Sequence, residues 1–118
     1  MNVLLALVLV AATAGGQTPS TVYTPGDGVS LPQVTRQVGP QYTSEAMANR
    51  IEGNVVLDAV VLSDGKVGDV SIIESLDSIY GLDKNAIAAM KQWEFKPGMK
   101  DGKPVAVRIS IVMKFTLK

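Results

Sequence analysis

The sequence contains no cysteine and no histidine. Their absence removes thiol nucleophiles, disulfide staples, the cysteine that anchors a bacterial lipoprotein, and zinc sites of the Cys/His kind. It also removes the side chain best suited to proton transfer near neutral pH. An excess of one charge is lacking too: eleven basic residues balance eleven acidic ones, and the two signs are interleaved. A phosphate-tracking surface needs clustered Lys and Arg, so nucleic acid is not an expected partner. No nucleophile, base and orienting group can be assembled from what remains, which points away from an enzyme and from any cofactor or metal. The Asp-Gly-Lys sequences at 64–66 and 101–103 lack the longer Gly-Lys-Ser/Thr framework of phosphate loops and read as turns.

A long hydrophobic run is also missing. Val3 to Ala14 forms an apolar run broken only by Thr13, but a membrane-spanning helix needs roughly 20 apolar residues. Ala12-Thr13-Ala14 offers a small-x-small cleavage site before Gly15, although no Lys or Arg precedes the run. Residues 1–14 therefore read as a signal peptide or, alternatively, a short uncleaved anchor. Either implies export. The first charged residue is Asp27, and Gly15 to Ser30 is rich in Gly, Pro, Ser and Thr. Such a stretch buries too little apolar surface to offset its ordering entropy, so 15–30 reads as a flexible linker and 31–118 as one folded domain.

Within that domain, Leu31 to Val38 is extended, bounded by Pro32 and Pro40. Thr43 or Ser44 can cap a short helix, Glu45 to Arg50, with Met47 and Ile51 on one face. Gly53 stops it. Asn54 to Leu62 is apolar on both faces apart from Asp58, which suggests a central strand. The turn Ser63-Asp64-Gly65-Lys66 has hairpin chemistry and returns the chain along Val67 to Glu74. Asp83 is the expected N-cap of a second helix running to about Trp93, with Ala86, Ala89, Met90 and Trp93 on a buried stripe. Pro97-Gly98 ends that region, and the turn Asp101-Gly102 precedes the last strand. There Val105, Val107, Ile109, Ile111, Met113, Phe115 and Leu117 alternate with Ala106, Arg108, Ser110, Val112, Lys114 and Thr116. Such a period places one face on a core and the other in water.

The predicted class is α+β: a three-stranded antiparallel sheet in the order second, first, last, with both helices on one face. That order leaves the last strand on an open edge, which natural proteins seldom leave without a use.

The ordered set Pro40-Gln41-Tyr42, Ala46, Arg50-Ile51-Glu52-Gly53-Asn54-Val55, Asp64-Gly65-Lys66-Val67, Gly81-Leu82-Asp83, Ala86 and Trp93-Glu94-Phe95-Lys96-Pro97-Gly98 resembles the C-terminal domain of TonB energy transducers. The similarity runs from about Val34 to Leu117. It departs at Thr43, where the family usually has Pro, and upstream, where no convincing span or long Pro-rich spacer is present. The resemblance implies a periplasmic domain that takes up the TonB box of a TonB-dependent outer-membrane transporter by strand addition. It also implies that Val38, Gly39, Pro40 and Gln41, with Val107, Arg108, Ile109, Ser110, Ile111 and Val112 of the last strand, form the partner-binding surface. A homodimer through the same edge is the structural alternative. An ExbB/ExbD-like inner-membrane complex is implied only if residues 1–14 remain as an anchor.

Overall fold

The computed structural model describes residues 21–26 and 28–117. The expected signal peptide and the first part of the expected linker lie outside them. In chain order the elements are β1 (Val22–Tyr23), β2 (Gln33–Arg36), α1 (Ser44–Ala48), β3 (Gly53–Val61) and β4 (Val67–Glu74). They continue with α2 (Leu82–Met90), β5 (Glu94–Lys96), β6 (Gly98–Lys100) and β7 (Lys103–Phe115).

The main sheet runs β1-β7-β3-β4, with β6 added to the start of β7. β4, β3 and β7 are antiparallel neighbours, but the sheet is five-stranded and mixed, because β1 joins β7 in parallel. The expectation of a three-stranded, wholly antiparallel sheet is corrected on both points. The parallel strand β1 comes from the stretch expected to be linker, which also holds Val29, bridging Lys100. The fifth strand is β6, a hairpin partner of β7 across the Asp101-Gly102 turn. A separate two-stranded sheet pairs β2 with β5.

The alternation of β7 is realised from Val107 onward, while Ala106, expected on the water-facing side, is buried where β1 pairs with it. Val107, Met113 and Phe115 are buried and Ile109 and Ile111 half-buried, while Arg108, Ser110, Val112 and Lys114 are exposed. In β3 the odd-numbered Val55, Leu57, Ala59 and Val61 are fully buried. They share one cluster with Ala46 of α1 and with Leu82, Ala86, Ala89 and Met90 of α2, so both helices cover the same face. Trp93 joins this cluster, and its indole N–H donates to the Val38 carbonyl at 2.8 Å.

The first helix starts as the sequence suggests and the second does not. Thr43 caps α1, accepting from the Ala46 N–H at 3.1 Å. That helix ends at Ala48, and Arg50, with φ 56°, swings the chain toward β3. Ala46, not Met47, is the residue it buries. The α2 helix is capped at Gly81, whose φ of 96° suits only the residue without a Cβ, and it stops three residues before Trp93. Asp83 turns away from α2 to accept the Leu76 and Asp77 N–H groups, both at 3.0 Å. Asp77 supplies the missing acceptor instead, taking the Leu82 N–H at 3.2 Å. In the β3–β4 hairpin the expected positive φ is found at Gly65, at 87°, and its carbonyl accepts the Phe95 N–H at 2.9 Å. A Cβ at Gly65 would stand 2.1 Å from the Phe95 carbonyl oxygen.

Candidate functional site: the free edge of the last strand

The chemistry of a strand edge is set by which main-chain groups are already paired. β7 pairs with β3 without a register shift from Gly53↔Phe115 to Val61↔Val107. The groups of alternate residues point to the same side of a strand, so one hydrogen bond of known direction fixes the rest. The Leu117 N–H donates to Glu52 Oε1 at 3.0 Å, and Glu52 lies next to the start of β3. At the other end of β3, the Leu62 N–H turns toward β4, donating to the Lys66 carbonyl at 2.8 Å. Odd-numbered residues of β3 and β7 therefore carry the bonds between these two strands. The N–H groups of Ser110, Val112 and Lys114 point the other way.

On that other side the structure is uneven. Ala106 and Val107 are paired with Val22 and Tyr23 of β1. From Arg108 to Phe115 no described strand pairs with β7 on this side. Val107 is thus bracketed by Val61 and Tyr23, while Arg108 to Val112 form the start of the free stretch.

The exposed face beside the free stretch is mixed in character. Val112 is 60% exposed and stands across from Val56. Arg108 donates to Asp58 Oδ2 at 3.0 Å, a partly exposed pair worth about 0–1 kcal/mol. Asp58, noted in the sequence as an acid lying mid-strand, is therefore satisfied by a neighbouring strand. A groove of about 340 Å³ opens here, lined by Thr24, Pro25 and Leu31 of the N-terminal arm and by Asp58, Arg108, Ile109 and Ser110.

Val38 to Gln41 lies elsewhere, against α2. The Gln41 carbonyl accepts the Asn85 amide at 2.7 Å, as the Val38 carbonyl accepts the Trp93 indole. With Gly39 these residues line a second groove of about 250 Å³, floored by Ala88 and Ala89. Tyr42 follows, its hydroxyl donating to the Ile51 carbonyl and its ring set edge-on to Phe115 at 5.4 Å. Burial pushes the Tyr42 hydroxyl pKa up, and the Glu52 carboxylate adds to the effect. The structure thus brings Val107 to Val112 together on one strand and does not bring Val38 to Gln41 into the same groove.

Sequence reasoning passed over the loop at 75–83. There the Asp77 carboxylate accepts from Ile79, Tyr80 and Leu82 at 3.0, 2.9 and 3.2 Å. Burial alone would raise its pKa, but the N–H groups of Tyr80, Ile79 and Leu82 outweigh it and hold the carboxyl below its ordinary range. This brace holds out Ile79, which is 81% exposed. The signal available in the sequence was Asp77 itself, placed a few residues before a helix. Among the described residues no group of His, Cys, Asp and Glu is placed to hold a metal ion. No helix among them is long and apolar enough to cross a membrane.

Comparison with known proteins gives a consistent picture. The model of the family described as Gram-negative bacterial TonB protein C-terminal matches residues 38–117. The TonB protein of Vibrio cholerae is 36% identical over 85 residues, covering 72% of this chain and 34% of that protein. The TonB protein of Pseudomonas aeruginosa is 30% identical over 107 residues, covering 91% of this chain and 31% of that protein. The chain spans about a third of the length of these curated relatives. The solution NMR structure of the Pseudomonas aeruginosa TonB CTD superposes with a TM-score of 0.56 at 26% identity, covering 84% of this chain and 99% of that one.

Proposed function

The chain belongs to the family of Gram-negative TonB protein C-terminal domains, and from that premise we propose that it is a periplasm-facing binding module that does no chemistry. It takes up an extended segment of a TonB-dependent outer-membrane transporter as an added strand on β7. The observation that carries this reading is the edge from Arg108 to Phe115, long, regular, without a strand partner among the described residues and backed by β3 in unbroken register. Such an edge supplies affinity through main-chain groups and selectivity through the side chains beside it. The periplasmic setting rests on the family membership and on the expectation that residues 1–14 direct export. Coupling to an ExbB/ExbD-like inner-membrane complex belongs to the form in which residues 1–14 stay as an anchor.

The test is calorimetric titration of the full chain with a synthetic TonB-box peptide. The parent binds, and Ser110→Pro, which removes an outward N–H, stays folded by circular dichroism but no longer binds. A folded Ser110→Pro variant that binds as tightly as the parent removes β7 as the site. Equilibrium sedimentation of the same samples covers the alternative use of the edge: dimerisation without peptide binding would assign it to a second copy of the chain.

A further inference from the structure

We infer that the N-terminal arm is a built-in occupant of the acceptor edge, and that it limits the length of segment β7 can take up until the arm is lifted. The inference rests on the reading of β7 as the acceptor strand. β1 lies on the side of β7 away from β3, with Val22 opposite Ala106 and Tyr23 opposite Val107. That is the same lane as the free stretch, immediately before it. A segment added along Arg108 to Phe115 therefore meets β1 end to end, and a longer one must displace it. Thr24 and Pro25 reinforce the stop, because they line the groove beside Arg108 and Ser110.

The arm is attached in two separable places. β1 offers two residues of pairing, both half-buried, against the unbroken nine-pair register of β3 with β7. The Lys100 ammonium over the Tyr23 ring, 5.5 Å from its centroid, is a further latch. The second attachment is independent of the β7 edge. Val29 is buried and bridges Lys100, the Ser30 N–H donates to the Met99 carbonyl at 3.0 Å, and the Ser30 hydroxyl accepts the Met99 N–H at 2.9 Å. Between the two, Gly26 and Gly28 have φ of 105° and 73°, conformations that cost glycine nothing. β1 can leave the edge while Val29 and Ser30 stay in place. A longer segment then binds with an affinity scaled by the fraction of molecules whose arm is lifted.

A reversible lock tests this. The sequence has no cysteine, so Val22→Cys with Ala106→Cys creates a single possible disulfide across a parallel pair, at a Cα spacing of about 4.8 Å that suits one. The reduced double variant should match the parent in circular dichroism and melting, which controls for folding. Two TonB-box peptides are titrated in each redox state, one of about eight residues to match Arg108–Phe115 and one of about twelve. Reduced protein should bind the longer peptide about tenfold more tightly than the oxidised protein does, and the shorter peptide equally in both states. Equal binding of the longer peptide in both states overturns the arm as a competitor and leaves β7 as the acceptor. Binding of neither peptide in either state overturns the acceptor reading, and the arm's role with it.

Discussion

Two residues hold the frame of the edge, and they do so in different ways. Trp93 is 6% exposed and joins the core cluster, so its ring acts mainly through packing. Its indole N–H also ties Val38 to the end of α2. Trp93→Ala is expected to cost about 3–5 kcal/mol, measured by urea denaturation. A cost under about 1 kcal/mol would mean the ring is dispensable to the core, and a binding role for it would then be the better explanation. Asp77 acts electrostatically. Its pKa is lowered in the folded state, so its stabilisation is present in full above the ordinary carboxylate range and is lost as pH falls through the folded value. Asp77→Asn keeps the size but loses the charge, and should cost about 1–2 kcal/mol near neutral pH. The difference from the parent should shrink on acidification below about pH 4, where the carboxyl of the unfolded chain takes up a proton before the folded one does. A difference that stays constant to pH 2.5 would show that charge is not what Asp77 contributes.

Among the elements, β7 is the one most legible in the sequence. Its period of two over Val105 to Leu117 gave both its faces and its place beside β3, because each odd residue needs a core and each even one tolerates water. The hairpin at Asp64-Gly65 was legible for a local reason, the positive φ that glycine permits. What stayed hidden were β1, β5 and β6, strands of two or three residues. Their pairing depends on partners far along the chain, and β1 sits among Gly, Pro, Ser and Thr, a composition that describes a linker equally well. The exchange of roles between Asp77 and Asp83 was hidden for a similar reason: either carboxylate can cap, and the choice depends on how the loop closes. The direction of the β7 main-chain groups leads to a sharper expectation at this scale. Ile111→Pro removes an N–H that points to β3, so it should melt well below the parent or fail to fold, whereas Ser110→Pro should melt close to it. Comparable melting of the two variants would mean that the alternation along β7 is assigned the wrong way round.

At the scale of the whole molecule, two helices and a central strand support one long strand from behind and from one side, and among the described residues much of its other side has no strand partner. The family resemblance legible in residues such as Trp93 to Gly98 agrees with the family match over 38–117. Of the two candidate surfaces, the β7 edge and Val38 to Gln41, the second has two of its carbonyls engaged by α2 and its exit. Strand addition to β7 makes a claim about individual amides, and amide hydrogen exchange followed by NMR reads them one at a time. With a TonB-box peptide bound, the N–H groups of Ser110, Val112 and Lys114 should change from fast to slow exchange, while Ile109, Ile111 and Met113, already bonded to β3, change little. Unchanged exchange at Ser110, Val112 and Lys114 in a sample saturated with peptide, with new protection at Val38 to Gln41 instead, would contradict strand addition to β7.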